Sequence, residues 1–262
     1  MTFKPIRKET TVYEVVKQIE DNIISGKLKI GSKLPSERQM SKLLEVSRPV
    51  VREALIILKG KGLINMIPRK GNYINDFRLN GSLPILESLI SFHLDNIEPK
   101  LVESLMATRK LIESETAALA AINKREEDLT KLNFIYLQED EILKNIKNNN
   151  LTNFRLEILV DLDFSFHHLI SVASGNLVYP LLLNSFKKVY TFLTSSFFNF
   201  LIKKAEENDL ISIENLDFVI QNHKKLIESI CKADSKNSKK IMIQILEHGE
   251  IFLRKYFFNN KI

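Results

Sequence analysis

Apolar residues recur at helical spacing along most of the chain, and the interruptions mark its divisions. Val12, Val15, Val16, Ile19 and Ile23 share one face of a helix over about 11–24, which Gly26 closes. After a short extended stretch, Met40, Leu43 and Leu44 line one face of a brief helix over Glu37 to Leu44. Ser36 stands at its N-cap, and Gln39 three residues on completes a capping box. Glu45 and Val46 form a turn, and Ser47 is placed to cap again. Val51, Ala54, Leu55 and Leu58 then predict a helix over 49–59, with Pro49 in the first turn, where its missing N–H costs nothing. Gly60 and Gly62 end that helix. LINMI and NYIND follow as two short strands around the tight turn Pro68-Arg69-Lys70-Gly71.

Beyond Asp76 the pattern changes. Asn80-Gly81-Ser82 and Pro84 read as linker, with a short helix over 85–92. Helical spacing then predicts six helices, over about 99–122, 125–148, 153–174, 177–205, 213–232 and 236–258, separated by polar breaks such as Gly175-Asn176 and Asp234-Ser235. The fold class is therefore mainly α. Residues 1–76 form a winged helix-turn-helix with a small two-stranded wing, 77–97 a linker with a short helix, and 98–262 an all-α bundle.

Composition narrows the class without changing it. Apolar residues make up 44% of the chain, as in an ordinary globular protein, and 8 Gly and 7 Pro suit a helical one. No apolar run reaches the roughly 18 residues of a spanning helix, and MTFKPIRKETT is no hydrophobic signal, so no membrane partner and a cytoplasmic location are expected. A single cysteine, Cys231, excludes an internal disulfide. Charge is more informative. Residues 1–76 hold 15 Lys/Arg against 8 Asp/Glu, leaving 23 against 24 in the rest. A basic head on a neutral body is the footprint of phosphate-backbone binding, which draws its affinity from counterion release.

A short helix, a turn and a second helix that opens with Arg48 and Arg52, four apart on one face, is the geometry that puts a recognition helix into the major groove. A basic, glycine-tipped turn after it can approach a minor groove or the phosphates. PSER, VSRPVVREAL, KGL and the basic wing resemble the winged helix-turn-helix of the GntR family of bacterial transcription regulators, over about 11–76. The resemblance implies DNA contacts at Arg38, Arg48, Arg52 and Gly71, with Ser47 and Lys70 in support, and a helix-turn-helix over about Glu37 to Ile56. Pro49-Val50 stands where many members have Thr-Pro, a variant similar to the branch that responds to pyruvate, lactate or hexuronates.

The second part resembles the ligand-binding domain of the FadR branch through ATRKLIESETAALAA, DLDFSFHHLISVASGN and NHKKLIESI, over about 97–258. Asp163 and His167 lie four apart on one helix face, and His223 opens the last of those motifs. A carboxylate with two or three imidazoles suits Zn²⁺, Ni²⁺ or Mn²⁺. The resemblance implies such a metal site, built from one Asp and three His, on the floor of an effector cavity. One departure leaves the last ligand open. The interval from His223 to His248 is 25 residues, longer than is usual in the family, and an ungapped alignment puts Ile245 at that position. Either Ile245 has replaced the ligand, which needs no insertion, or a longer loop brings in His248. His93 and His168 read as surface or hydrogen-bonded residues. Arg109 is the candidate for an anionic effector, with an ion pair to Glu113 one turn along as its bland alternative. Asn176 is a second effector candidate or else, following a helix end, a C-cap.

These readings combine into a homodimeric regulator, acting as a repressor, that binds double-stranded DNA at a palindromic operator and is controlled by a small organic acid. Two alternatives stand beside it. One is a metal-free regulator sensing a fatty acyl or other larger ligand. The other is a metal-dependent hydrolase, for which no motif such as HExxH supplies a general base.

Overall fold

The computed structural model describes residues 10–92, 99–148, 156–206 and 210–258. His93 and the start of the helix expected over 153–174 lie outside the described residues. The chain forms two compact units, Met1–Leu94 and Asp95–Ile262.

In the first unit, helix α1 (Thr10–Ile24) packs on α3 (Arg48–Gly60), with the short α2 (Glu37–Leu43) beside α3. The apolar faces read from the sequence meet in one core. Val15, Val16, Ile19 and Ile23 face Val51, Ala54, Leu55 and Leu58, and Leu63, Ile64 and Ile74 of the wing close it. The capping box at α2 forms: the Ser36 amide donates to Gln39 Oε1 at 2.9 Å, and the Gln39 amide to Ser36 Oγ at 3.4 Å. Ser47 does not cap α3 through its side chain. Pro49 occupies one of the positions whose N–H an N-cap oxygen accepts, so Ser47 Oγ loses a partner there. Glu45 takes the left-handed conformation, φ 53°, that turns the chain between α2 and α3.

The wing is an antiparallel pair, β1 (Ile64–Ile67) and β2 (Gly71–Ile74), with Ile64 opposite Ile74 and Ile67 opposite Gly71. The stretch before α2 also pairs with β2: the Leu34 amide donates to Asn72 O at 2.8 Å, and the Ile74 amide to Ser32 O at 2.9 Å. The described part of the linker, residues 77–92, belongs to this unit. Helix α5 (Ile85–Phe92) packs on α1, and Ile85 enters the core. The Lys61 ammonium, at the end of α3, lies 2.6 Å from Glu20 of α1 and donates to Ser88 of α5 at 3.0 Å. Gly62 must be glycine. Its φ is +76°, and a Cβ there would lie 1.9 Å from the carbonyl oxygen of Asn80, which ends α4 (Phe77–Asn80).

Leu55 is fully buried at the centre of this core. Leu55→Ala is expected to destabilise the head by about 2–5 kcal/mol, through lost transfer energy and the cavity left behind. Urea unfolding followed by helix signal checks this, and a loss below about 0.5 kcal/mol, the range of surface substitutions, would contradict the packing.

The second unit holds α6 (Pro99–Asn123), α7 (Glu126–Lys147), α8 (Leu156–Ala173), α9 (Tyr179–Ser185), α10 (Lys187–Glu206), α11 (Leu210–Cys231) and α12 (Ser235–Phe258). Helix α12 runs along α6, while α8 touches α6, α7 and α10, and α11 touches α6, α7, α10 and α12. The single helix expected over 177–205 is two. They meet at Phe186, whose amide is shared between the carbonyls of Leu182 and Leu183. Apolar spacing runs through the joint without Gly or Pro, so periodicity reads straight across it. The unit therefore has seven described helices where the sequence predicts six, and the short linking helix packs in the head.

Candidate functional site: a basic groove and a buried ionisable cluster

Two places in the molecule gather functional side chains. The first is a groove on the head between the wing and the starts of α2 and α3. Arg38, Arg48, Lys70 and Gly71, four of the candidate DNA contacts, line it together with Lys33 and Arg69, which were not among those candidates. Arg52 is exposed one turn beyond Arg48, and Ser47 is exposed just before α3; neither lines the groove. Among the described residues, none of Arg38, Arg48 and Arg52 has an ion-pair partner, so their charges face solvent uncompensated. Arg69 adopts φ 63°, unusual for a residue with a Cβ, at the tip of the wing. Only the PRKG turn hinted at that.

The second place lies inside the helical unit. Asp163 and His167, one turn apart on α8, meet His223 of α11, and one ligand atom from each lies within 4.8 Å of the others. All three are buried, His223 completely. Both imidazoles are backed by carboxylates. His223 Nδ1 is 2.8 Å from Glu139 Oε2, and His167 Nδ1 is 2.6 Å from Glu113 Oε2. The His223 ring also stacks on Phe166, with centroids 3.9 Å apart. This fixes the ring and leaves Nε2 buried without a hydrogen-bond partner, 4.0 Å from Asp163 Oδ1. The other oxygen of Asp163 accepts from the Tyr190 hydroxyl at 2.8 Å and from Thr194 at 3.4 Å.

Arg109 joins this network. Its Nε donates to Glu113 Oε1 at 2.7 Å, and its guanidinium lies 3.9 Å from the centre of the Tyr190 ring. The ion pair offered as its alternative role thus exists, and Arg109 nonetheless reaches the wall of a cavity. That cavity, of about 40 Å³, is also bordered by Asp163, His167, Thr194, Phe197 and Ile245. It exceeds the roughly 10–15 Å³ that one water requires. A second cavity of about 30 Å³, with mostly apolar walls from Leu183, Phe186 and Val189, shares Arg109 and Leu193 with the first.

The charges are strongly coupled. Burial opposes ionisation of Glu113, but Arg109 and His167 outweigh it and hold the carboxyl at about 2. Burial likewise disfavours a charged His223, yet Glu139 and Asp163 outweigh it and raise the imidazole above its ordinary value. Tyr190 is pushed up by burial first, against Arg109 and with help from Asp163.

Three carboxylates, one guanidinium and two imidazoles in one buried cluster leave room for a cation. The donor set fits one. Each imidazole has a carboxylate behind one ring nitrogen, as metal-bound histidines do, and His223 Nε2 is an orphaned donor aimed at Asp163. Of the two placements left open for a fourth ligand, Ile245 borders the cavity. His248 does not join the cluster: its ring stacks on Phe218 at 4.3 Å, and burial lowers its pKa. Asn176 is also corrected. It is exposed, and its side chain accepts from the amides of Val178 and Tyr179 at 2.8 and 3.3 Å, so it serves the start of α9 and not the cavity. Glu139, Tyr190 and Thr194 are site residues that sequence reasoning missed, since nothing local marks a Glu in QEDE or a Tyr in KVYTF as reaching α8.

Comparison with known proteins gives the same division. Residues 11–74 match the model of bacterial regulatory proteins of the gntR family, and residues 75–248 match that of the FadR C-terminal domain. The fatty acid metabolism regulator protein of Shewanella frigidimarina is 33% identical over 66% of this chain and 66% of its own length. The Glc operon transcriptional activator of Escherichia coli K12 is 32% identical over 65% of this chain and 63% of its own. Among solved structures, Lar, which controls the expression of the Listeria monocytogenes agr system, aligns with a TM-score of 0.58 and 17% identity. That alignment covers 97% of this chain and 99% of Lar, a likeness of fold. No helix of the described residues is long and apolar enough to cross a membrane. The chain belongs to the GntR family and carries a FadR-type C-terminal domain; it is a transcription regulator, not an enzyme.

Proposed function

We propose that this regulator binds a palindromic operator as a homodimer in the cytoplasm, and that a small carboxylate or sugar acid bound in the helical unit releases it, relieving repression. One observation carries the reading: a cluster of six ionisable side chains, five of them buried and Arg109 partly so, borders a cavity in the body. Burying charges is expensive, and an apolar replacement of such a cluster is commonly as stable or more so, so stability alone does not call for it, whereas a charged ligand would. Arg109 would receive the acid with the donors that Glu113 leaves free. Asp163, His167 and His223 would hold a divalent ion, Zn²⁺, Ni²⁺ or Mn²⁺, which when bound supplies an open position for an acid oxygen. Tyr190 and Thr194 orient Asp163, and Glu113 and Glu139 orient the two imidazoles. On the head, Arg48 and Arg52 would read base edges in the major groove, with Arg38, Ser47 and Lys70 on the backbone.

A second reading has its own support. Ile245, Phe197 and Leu253 make much of the cavity wall apolar, and one relative is a fatty acid metabolism regulator. A metal-free site for a larger, hydrocarbon-bearing ligand would suit that wall. Elemental analysis of the purified protein, combined with calorimetric titration of lactate, pyruvate, hexuronates and sialic acid, separates the two. The main reading expects about one divalent ion per chain, lost in His167→Ala together with acid binding. Metal-free protein that binds none of these acids but does bind longer-chain ones would overturn it in favour of the second.

A further inference from the structure

We propose that Lys33 is a contact to the phosphodiester backbone of double-stranded DNA, seated by the wing, and that Gly71 acts as its positioning residue. The proposal rests on the head being the DNA-binding part of the regulator. Lys33 lies outside the helix-turn-helix and outside the turn of the wing, in the stretch that leads into α2. Three observations fix it there. Its backbone is locked to the outer edge of β2: Lys33 forms an antiparallel bridge with Tyr73, flanked by the hydrogen bonds from Leu34 to Asn72 and from Ile74 to Ser32. Its side chain then crosses directly over Gly71. A Cβ at that position would come 2.7 Å from Lys33 Cε and 3.4 Å from Nζ, so any residue but glycine would push the lysine aside. The ammonium comes to rest 5.9 Å from the centre of the Tyr73 ring, at the outer limit of a cation–π contact.

The result is a charge held out at the rim of the groove. Lys33 is exposed and, among the described residues, has no carboxylate partner. It shares the groove with Arg38, Arg48, Arg69 and Lys70, against Glu37 as the single acid in the lining. Long lysine side chains ordinarily lose rotamer entropy when they bind a phosphate. Here the edge pairing fixes the backbone from which the side chain starts, at the rim of the groove, so only the side chain's own rotamers remain to be ordered when DNA arrives. Gly71 accordingly has a different role from the direct DNA contact that family resemblance implies. Its φ of +111° and its missing Cβ together let the wing turn beneath the lysine.

A phosphate contact and a solvated lysine differ in their salt dependence. The test uses the full-length protein, with fluorescence anisotropy on a duplex from its own promoter and on a scrambled duplex of equal length. For Lys33→Met the expected result is weaker binding to both duplexes by a similar factor. The salt slope should fall by about 0.9, so that the wild-type advantage shrinks about threefold between about 50 and 200 mM salt. Lys33→Arg should retain both affinity and slope. Gly71→Ala should lower thermal stability more in the wild-type background than in a Lys33→Ala background, because the clash at Cε is gone from the latter. Unchanged affinity and slope in Lys33→Met would overturn the phosphate contact. An equal Gly71→Ala effect in both backgrounds would overturn the positioning role. Loss of operator preference on removing Arg48 and Arg52, read in the same assay, reports on the DNA-binding head separately, so its failure cannot be mistaken for a failure of Lys33.

Discussion

Arg48→Ala/Arg52→Ala should retain the fold and lose the ability to tell operator from scrambled DNA. Both side chains are exposed on α3, and among the described residues neither is tied to a carboxylate, so their removal breaks nothing in the folded head. They stand one turn apart at the start of a helix whose other face is wholly committed to the core through Val51, Ala54, Leu55 and Leu58. A base contact made by both donors of an arginine fork discriminates by about 1–3 kcal/mol, or about 5- to 150-fold for each arginine. The double variant should therefore show the largest loss of specificity of any surface change in the chain. Its residual, sequence-independent binding should persist, because Arg38, Lys70 and the rest of the basic head still release counterions. Competition of labelled operator against scrambled duplex measures this. An unchanged preference ratio would mean that another surface reads the bases.

The largest stability effect is expected inside the helical unit. Glu113→Gln removes the one carboxylate shared by Arg109 and His167 and leaves a largely buried guanidinium with only Asp163 and the Tyr190 ring near it. Breaking a buried pair from one side costs about 3–5 kcal/mol, a large share of the stability of an ordinary domain. The pH dependence has a definite sign. The folded-state pKa of Glu113 is depressed from 4.5 to about 2, so its contribution is fully present above 4.5 and is lost as pH falls through that window toward about 2. Glutamine does not titrate. The wild-type protein should thus be much the more stable at pH 7, and the gap should close as the pH falls below about 4.5. Urea midpoints of both proteins across this range provide the check, and a gap that stays constant or widens on acidification would contradict the assignment.

The head was legible in the sequence because its signals are local. The Ser36–Gln39 capping box, the turn at Glu45, Pro49 in the first turn of α3 and the glycine-tipped wing each span a few residues, and each formed apart from the Ser47 side-chain cap, which Pro49 denies a partner. The helical unit was legible as helices and as the i, i+4 pair Asp163 and His167. Its chemistry was less so. His223 meets Glu139 across 84 residues and Asp163 meets Tyr190 across 27, and no periodicity carries information over such separations. The joint at Phe186 escaped for the opposite reason, since the apolar pattern is continuous through it. Asn176 stood as an effector candidate with a helix C-cap as its alternative, yet the amides of Val178 and Tyr179, where the next helix begins, claim its side chain. Lys33 was invisible because one lysine in a basic head looks like any other until the pairing of its backbone with Tyr73 is seen.

Occupancy of the cluster around Arg109, Asp163, His167 and His223 should change how strongly the head holds its operator. Anisotropy titration of labelled promoter DNA, with and without an acid that calorimetry has shown to bind the helical unit, tests it directly. The expected result is a change in operator affinity of about 5- to 150-fold, the range of ordinary coupling between two sites, and the same factor in the acid's affinity when DNA is bound. Operator affinity that stays the same with the acid demonstrably bound would contradict the account.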